Sequence, residues 1–166
     1  IKTRKIAFLV ADGVNEKSVD TIKRILEAEG AVVELVANKL GKIISENNVE
    51  YEIPKSLLTT ASVLYDAVYV PGGINSTATM AGEPDAIHFL NEAFKHCKPI
   101  AADEDGLQVL QETYFYKKLP NEFNSDVALT KGIVVSNDAG HLASDFISAI
   151  AMHRFWDREK MEKVPA

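Results

Sequence analysis

Two hydrophobic periods alternate along this chain. Lys5 to Ala11 (KIAFLVA) is apolar almost without interruption, the pattern of a strand buried on both faces. Asp12-Gly13 turns the chain. Val19, Ile22, Ile25 and Leu26 then recur at the spacing of one helical face until Gly30, a residue suited to ending a helix. Ala31 to Ala37 (AVVELVA) returns to the strand pattern and completes a β-α-β unit, whose crossover is expected to be right-handed. Between Gly41 and Ile53, two short alternating runs flank Asn47-Asn48 and predict a hairpin appended to the sheet's edge. Thr60 to Leu64 predicts a helical turn, Asp66 to Val70 (DAVYV) a buried strand closing on Pro71-Gly72-Gly73, and Pro84 to His96 a helix. Lys98 to Ala102 reads as a short buried strand, since proline can begin one. It turns sharply through Asp103-Glu104-Asp105-Gly106 into a helix from Leu107 to about Glu112. Asp105 stands where an N-cap belongs, with Gln108 three residues on, the spacing of a capping box. In the irregular stretch Tyr114 to Ser125, Tyr114, Phe115, Tyr116 and Phe123 lie among lysines. It reads as a loop anchored by its aromatics, the alternative being that they form an exposed contact surface. Gly132 to Ser136 is the last strand. Asp138 to His141 then leads into a long helix with Leu142, Phe146, Ile150 and His153 on one stripe and Trp156 at its end.

Strands separated by helices predict an α/β three-layer sandwich with a mostly parallel sheet, flavodoxin-like. At 166 residues, without repeat, low-complexity tract or linker, the chain fits one domain with one substantial core. Charge changes the picture by exclusion: a net charge of -6 without any Lys/Arg cluster argues against nucleic acid or an anionic membrane as partner. The run Phe8 to Ala11 is too short for a membrane span or a signal core. A single cysteine excludes an internal disulfide framework and any CxxC motif. Because the chain begins at Ile1 rather than Met, it is expected to be a piece of a longer polypeptide.

The chemistry should be legible at the Asp103 elbow, because ligands of parallel sheets bind outside the carboxyl ends of the strands. Its three carboxylates, Asp103, Glu104 and Asp105, suit a divalent cation or acid/base work. The preferred reading is plainer: acids at a helix start, one capping and the others solvated. Cys97 precedes its strand, at the far end from the crevice, and is expected to be an inert thiol. His88 and His96 lie eight residues apart, too far for a paired metal site. His141 beside Asp138 reads as the neighbour of a helix cap. Ser18 as a nucleophile would lack a base, and neither the Asp12-Gly13 turn nor the elbow has a glycine-rich phosphate loop.

Two segments carry a family resemblance that covers nearly the whole chain. Asp66-Ala67-Val68-Tyr69-Val70-Pro71-Gly72-Gly73, together with Lys98 to Gly106 and Gln108-Val109-Leu110, resembles the paired motifs of the PfpI-like class I glutamine amidotransferase superfamily. The departures matter more than the match. By this resemblance Glu104 stands where the family has its nucleophilic cysteine, Asp105 where it has the neighbouring histidine, and Ser18 where it has the acid that keeps the thiol reactive. The backbone part, a Gly72-Gly73 turn whose N–H groups would face an oxyanion, is kept. The resemblance therefore implies a catalytic relic, with no working catalytic residues.

A narrower resemblance rests on four separated segments in order: Thr3 to Val14, Leu26 to Gly30, Ala93 to Ile100 and His153 to Arg158. These are similar to the C-terminal domain of large-subunit haem catalases, with the fungal members nearest. What this implies is a non-catalytic domain that contributes stability, assembly or chaperone-like protection to a parent that decomposes hydrogen peroxide. No cofactor or metal is then expected in this domain, haem belonging to the parent. The expected partners are the catalase core, neighbouring subunits and unfolded client proteins, with Tyr114 to Phe123 as the apolar surface for clients. The alternatives are a PfpI-like hydrolase or glyoxalase-type enzyme with relocated residues, and a small-ligand-binding module.

Overall fold

The computed structural model describes residues 1–159. Among these, the strands in chain order are β1 (Lys5–Val10), β2 (Val32–Ala37), β3 (Gly41–Ile44), β4 (Glu50–Ile53), β5 (Lys55–Ser56), β6 (Ala67–Val70), β7 (Ile100–Ala102) and β8 (Ile133–Val135). Six of them form one sheet in the order β5-β2-β1-β6-β7-β8, every neighbouring pair parallel. The helices are α1 (Glu16–Ala28), α2 (Ile74–Ala81), α3 (Pro84–Lys95), α4 (Leu107–Gln111), α5 (Ser125–Lys131) and α6 (Ala139–Ala151).

Why β1 carries no polar positions is visible in how its residues are shared. Ile6, Phe8 and Val10 enter one core with Val19, Ile22 and Leu26 of α1 and Leu142, Phe146 and Ile150 of α6. Ala7 and Leu9 point the other way, into a core with Met80 of α2, Phe89, Leu90 and Phe94 of α3, and Leu110 of α4. Successive side chains of a strand face opposite sides, so a sheet covered on both faces needs an unbroken apolar run. The result is the three-layer, flavodoxin-like sandwich expected from the sequence.

Several elements differ from expectation. The β3–β4 hairpin forms around Asn48, whose φ is 63°, but as a separate antiparallel sheet. It is tied to the first turn through Gly13 N–H to the Ile44 carbonyl (2.7 Å) and Ile44 N–H to Asp12 (2.9 Å). The true edge is β5, two residues paired with Val36 and Ala37, too short to show a period. Helix α2 was not expected: its sequence INSTATMA buries only Ser76, Thr77 and Met80, so no apolar stripe announces it. Helix α5 follows a capped start, Asn124 accepting from Val127 N–H at 3.1 Å. His153 does not extend the stripe of α6; it lies beyond the helix end at φ 68°. The irregular stretch folds onto its own domain through Phe115, fully buried and stacked on Phe94 at 4.1 Å. Tyr116 and Phe123 are half-buried.

Candidate functional site

Three elements converge at the carboxyl end of the sheet. Asn15 caps α1 by accepting from Ser18 N–H at 2.9 Å, which holds Ser18 in the first turn. Strand β6 places Tyr69 in the α1/α6 core, its ring edge-on to Phe8 at 4.8 Å. Strand β7 ends at Ala102, and Asp103 follows, its N–H bonded to the Val70 carbonyl (3.1 Å). The carboxylate of Asp103 gathers donors from the other two: Tyr69 O–H (2.6 Å) and Gly72 N–H (2.9 Å) from β6 and its turn, and the Ser18 hydroxyl from α1. Asp105 accepts from the next amide, Gly73 N–H, at 3.3 Å. Hydrogen bonds to an ionised acceptor are the stronger kind. Burial, and then the charge of Asp103 beside it, push the Tyr69 phenol well above its ordinary range, so it stays protonated and donates.

The turn that presents these amides needs glycine. Gly73 has φ 114°, and a Cβ there would lie 2.4 Å from the Gly13 carbonyl oxygen and 2.6 Å from Asn15 N. The first helical turn passes directly over it, with Asn15 N–H bonded to the Gly72 carbonyl at 2.8 Å.

The elbow carboxylates diverge instead of converging. Asp103 points inward, while Glu104 accepts from Asn137 Nδ2 (2.6 Å) and its own N–H donates to Asn137 Oδ1 (3.1 Å). Asp105 is not the N-cap of α4: Gly106 holds that position with no side-chain cap bond, because the Asp105 carboxylate has turned to Gly73. Gln108 does not close a capping box either; its amide donates to the Thr77 hydroxyl and ties α4 to α2. Among the described residues no group of three or more His, Cys, Asp or Glu is arranged to hold a metal ion. Beside Asp103 a hollow of about 390 Å³ remains, lined by Lys17, Ser18, Thr21, Tyr69 and Asn137. Ser18 faces it without an imidazole; its hydroxyl neighbours are Asn15 and Asp103.

The remaining candidates lie elsewhere. Cys97 is buried and burial pushes its thiol up, which makes thiolate scarce. Asp138 caps α6 by accepting from His141 N–H at 2.7 Å. His88, His96 and His141 are exposed on the surface, and His153 sits 3.9 Å from Asp66. No helix among the described residues is long and apolar enough to cross a membrane.

Sequence reasoning named Asp103 only as one of three acids and missed its partner Tyr69, as well as Asn15 and Asn137, which hold Ser18 and Glu104. A signal for Tyr69 existed. A tyrosine inside a continuous buried strand must find a partner for its hydroxyl, and the crevice at the strand's end is where such a partner can stand.

Over residues 2–160 the chain matches the family described as the C-terminal domain found in long catalases. It is 36% identical to Catalase HPII of Mycobacterium avium, covering 100% of this chain and 24% of the relative. It is 35% identical to Catalase-2 of Bacillus subtilis, covering 94% and 21%. Identity to Catalase-1 of Neurospora crassa is 25%, over 96% of this chain and 24% of the relative, so the expected leaning toward fungal members gains no support. The chain thus spans about a quarter or less of the length of these relatives. Among solved structures, a DJ-1 superfamily protein of Salmonella typhimurium superposes with TM-score 0.73 at 20% identity, covering 99% of this chain and 100% of that one. The fold is that of the DJ-1/PfpI group, and the chain belongs to the family of C-terminal domains found in long catalases.

Proposed function

We propose that this chain is a non-catalytic C-terminal domain of a long catalase, contributing stability and assembly to a parent that decomposes hydrogen peroxide. The observation that carries the reading is the occupancy of the crevice by the chain's own side chains. An oxyanion site works by aiming unengaged donors at charge that develops during a reaction. Here Gly72 N–H already serves Asp103, and Gly73 N–H serves Asp105. Glu104, Asp105 and Ser18 occupy the positions of a nucleophile, its histidine and its acid in the resemblance, and none is paired as nucleophile and base. Haem and peroxide chemistry belong, on this reading, to the rest of the parent, and the 166-residue chain is one domain of it.

A chaperone-like contact through Tyr114 to Phe123 has narrower support. Phe115 is buried and Tyr116 and Phe123 are half-buried, leaving only Tyr114 substantially exposed, at 43%. The contribution to the parent therefore runs through interface: association that buries surface only in the native assembly raises its stability by mass action.

The test is to delete the segment from Ile1 onward from the parent. Peroxide breakdown should persist while heat inactivation accelerates. An unchanged inactivation rate, or turnover of methylglyoxal or ester substrates by the intact protein that disappears in Glu104→Gln, would overturn the reading.

A further inference from the structure

Residues that immediately precede parallel strands all lie at one end of a sheet. Here that amino end gathers Arg4 before β1, Asp66 before β6, Lys98 before β7 and Lys131 before β8. Arg154, just beyond α6, lies against Cys97 and Lys98. Three hollows run side by side along this end. The first, about 280 Å³, shares Val63 and His96 with the second, about 220 Å³. The second shares Arg154 and Trp156 with the third, about 370 Å³, which adds Leu129 and Met152. Their rims leave large apolar groups in solvent: Val63 is 73% exposed, Trp156 60% and Met152 51%. Exposed apolar groups that stand together mark interaction sites, and these three line adjoining hollows. The charge is also against the grain of the molecule. On a chain of net charge -6, the middle hollow is lined by Lys95, His96, Lys98 and Arg154 with Glu159; Glu92 of the adjoining hollow pairs with Lys95 at 3.9 Å and His96 at 3.4 Å, so the excess charge rests on Lys98 and Arg154.

We propose that this amino-end face is the surface on which the preceding part of the parent polypeptide docks, through a segment that combines carboxylates with apolar side chains. The inference rests on the reading that the chain is the C-terminal domain of a long catalase, and it identifies the face that reading leaves open. Two observations select this occupant. Complementarity to a basic, apolar hollow calls for an acidic, apolar segment. The family is one of C-terminal domains whose relatives carry roughly three quarters of their length outside the matched part, so that remainder approaches from the amino-terminal side, where Ile1 stands. This residue lies at the same end of the sheet: Arg4 N–H bonds the Ile1 carbonyl at 3.2 Å, while the Arg4 guanidinium pairs with Asp66 at 3.1 Å. A segment arriving there reaches the hollows without crossing a face of the sheet.

The experiment uses the full-length parent. A photo-reactive phenylalanine analogue is placed at Val63 in one variant and at Asn137, in the crevice, in another, and the cross-links are mapped by mass spectrometry. Position 63 should couple to residues upstream of Ile1 in high yield, and position 137 should couple at least tenfold less. In parallel, the double variant Arg154→Glu, Trp156→Ser should inactivate with heat at a rate within about twofold of the parent lacking the domain. Cross-links from position 63 to a second copy of this domain, or none, or stronger coupling from position 137, would overturn the inference. If deleting the domain accelerates inactivation but the double variant does not, the docking face is wrong while the stabilising role stands. If neither changes inactivation, the role itself fails.

Discussion

At the carboxyl end of the sheet a part-buried carboxylate, Asp103, is met by a phenol, an alcohol and a backbone amide. At the amino end an ammonium is more deeply buried, Lys98 being 3% exposed, yet it meets the Ser62 carbonyl at 2.6 Å and, among the described residues, no carboxylate. Burial there, with Arg154 nearby, lowers the lysine pKa to about 8. One end is satisfied from within, with Ile74 after its turn left 74% exposed; the other keeps an under-compensated cation beside the exposed Trp156. A buried charge is retained cheaply only when its hydrogen-bonding capacity is met. The contrast therefore locates the unfinished business of this domain at the amino end, opposite the Asp103 crevice.

The sharpest way to break the satisfied end is at its turn. Gly73→Ala would place a methyl 2.4 Å from the Gly13 carbonyl oxygen at a φ of 114°, so both strain and backbone clash apply. Destabilisation should exceed about 3 kcal/mol, measured by denaturant unfolding. A loss below about 1 kcal/mol would mean the α1 start can simply move away, and that the crevice is not rigidly assembled.

Next comes the plug itself. Asp103→Ala leaves Tyr69 O–H, Ser18 O–H and Gly72 N–H facing a vacancy. Stability should fall by about 2–3 kcal/mol, the scale of orphaned partners of a charged acceptor. The same vacancy has the donors for a small carboxylate, so formate or acetate at high millimolar concentration should raise the melting temperature of Asp103→Ala and leave the unmutated protein unmoved, as ligand linkage requires. Absence of both effects would show that the carboxylate is an incidental resident of the crevice.

How much of this was legible from the chain follows from where information is local. Strands β1, β2, β6 and β7 declared themselves through unbroken apolar runs, because burial on two faces leaves no room for polar positions. Helix α1 declared itself by a stripe and a cap. Helix α2 could not, since its buried positions are Ser76, Thr77 and Met80, and β5 pairs only two residues. The elbow was locatable but its chemistry was misassigned. Asp105 and Gln108 have capping-box spacing, yet tertiary partners, Gly73 and Thr77, outcompeted the local pattern. The amino-end face was invisible in sequence, for it assembles from Val63, Lys98 and Trp156, residues up to 93 positions apart (156 minus 63) that no period connects.

A smaller effect probes the unsatisfied end by pH. Lys98 has a folded pKa lowered to about 8, below its ordinary unfolded value near 10.4. Between these values the unfolded chain binds more protons than the folded one, so this residue makes stability rise with pH across that window. Below about pH 8 its full charge is carried in both states, and the burial cost is present throughout. Lys98→Met should remove that rise. The stability of unmutated protein minus variant should be lower at pH 7 than at pH 9.5 by on the order of 1–2 kcal/mol. A flat difference would mean the ammonium is better solvated than its burial suggests.

The smallest expected effect bears most directly on whether the crevice has any chemistry left. Glu104 is exposed, and its contacts are the reciprocal pair with Asn137, one through the side chain and one through its own N–H. Glu104→Gln keeps an oxygen able to accept from Asn137 Nδ2 and leaves the backbone bond untouched. It removes a charge at a site where solvent already screens it. Unfolding stability should therefore change by no more than about 0.5 kcal/mol, the ordinary range of surface substitutions, and the melting midpoint should follow. A catalytic acid behaves otherwise. Had Glu104 inherited a role from the position it occupies, the substitution would be silent in unfolding but decisive in turnover, because only the ionisable form can take or give a proton. The pairing of the two readouts thus separates a relic from an active residue, where either measurement alone would not. In Glu104→Gln the folding free energy should stay where it was, and neither the unmutated protein nor the variant should turn over methylglyoxal or ester substrates.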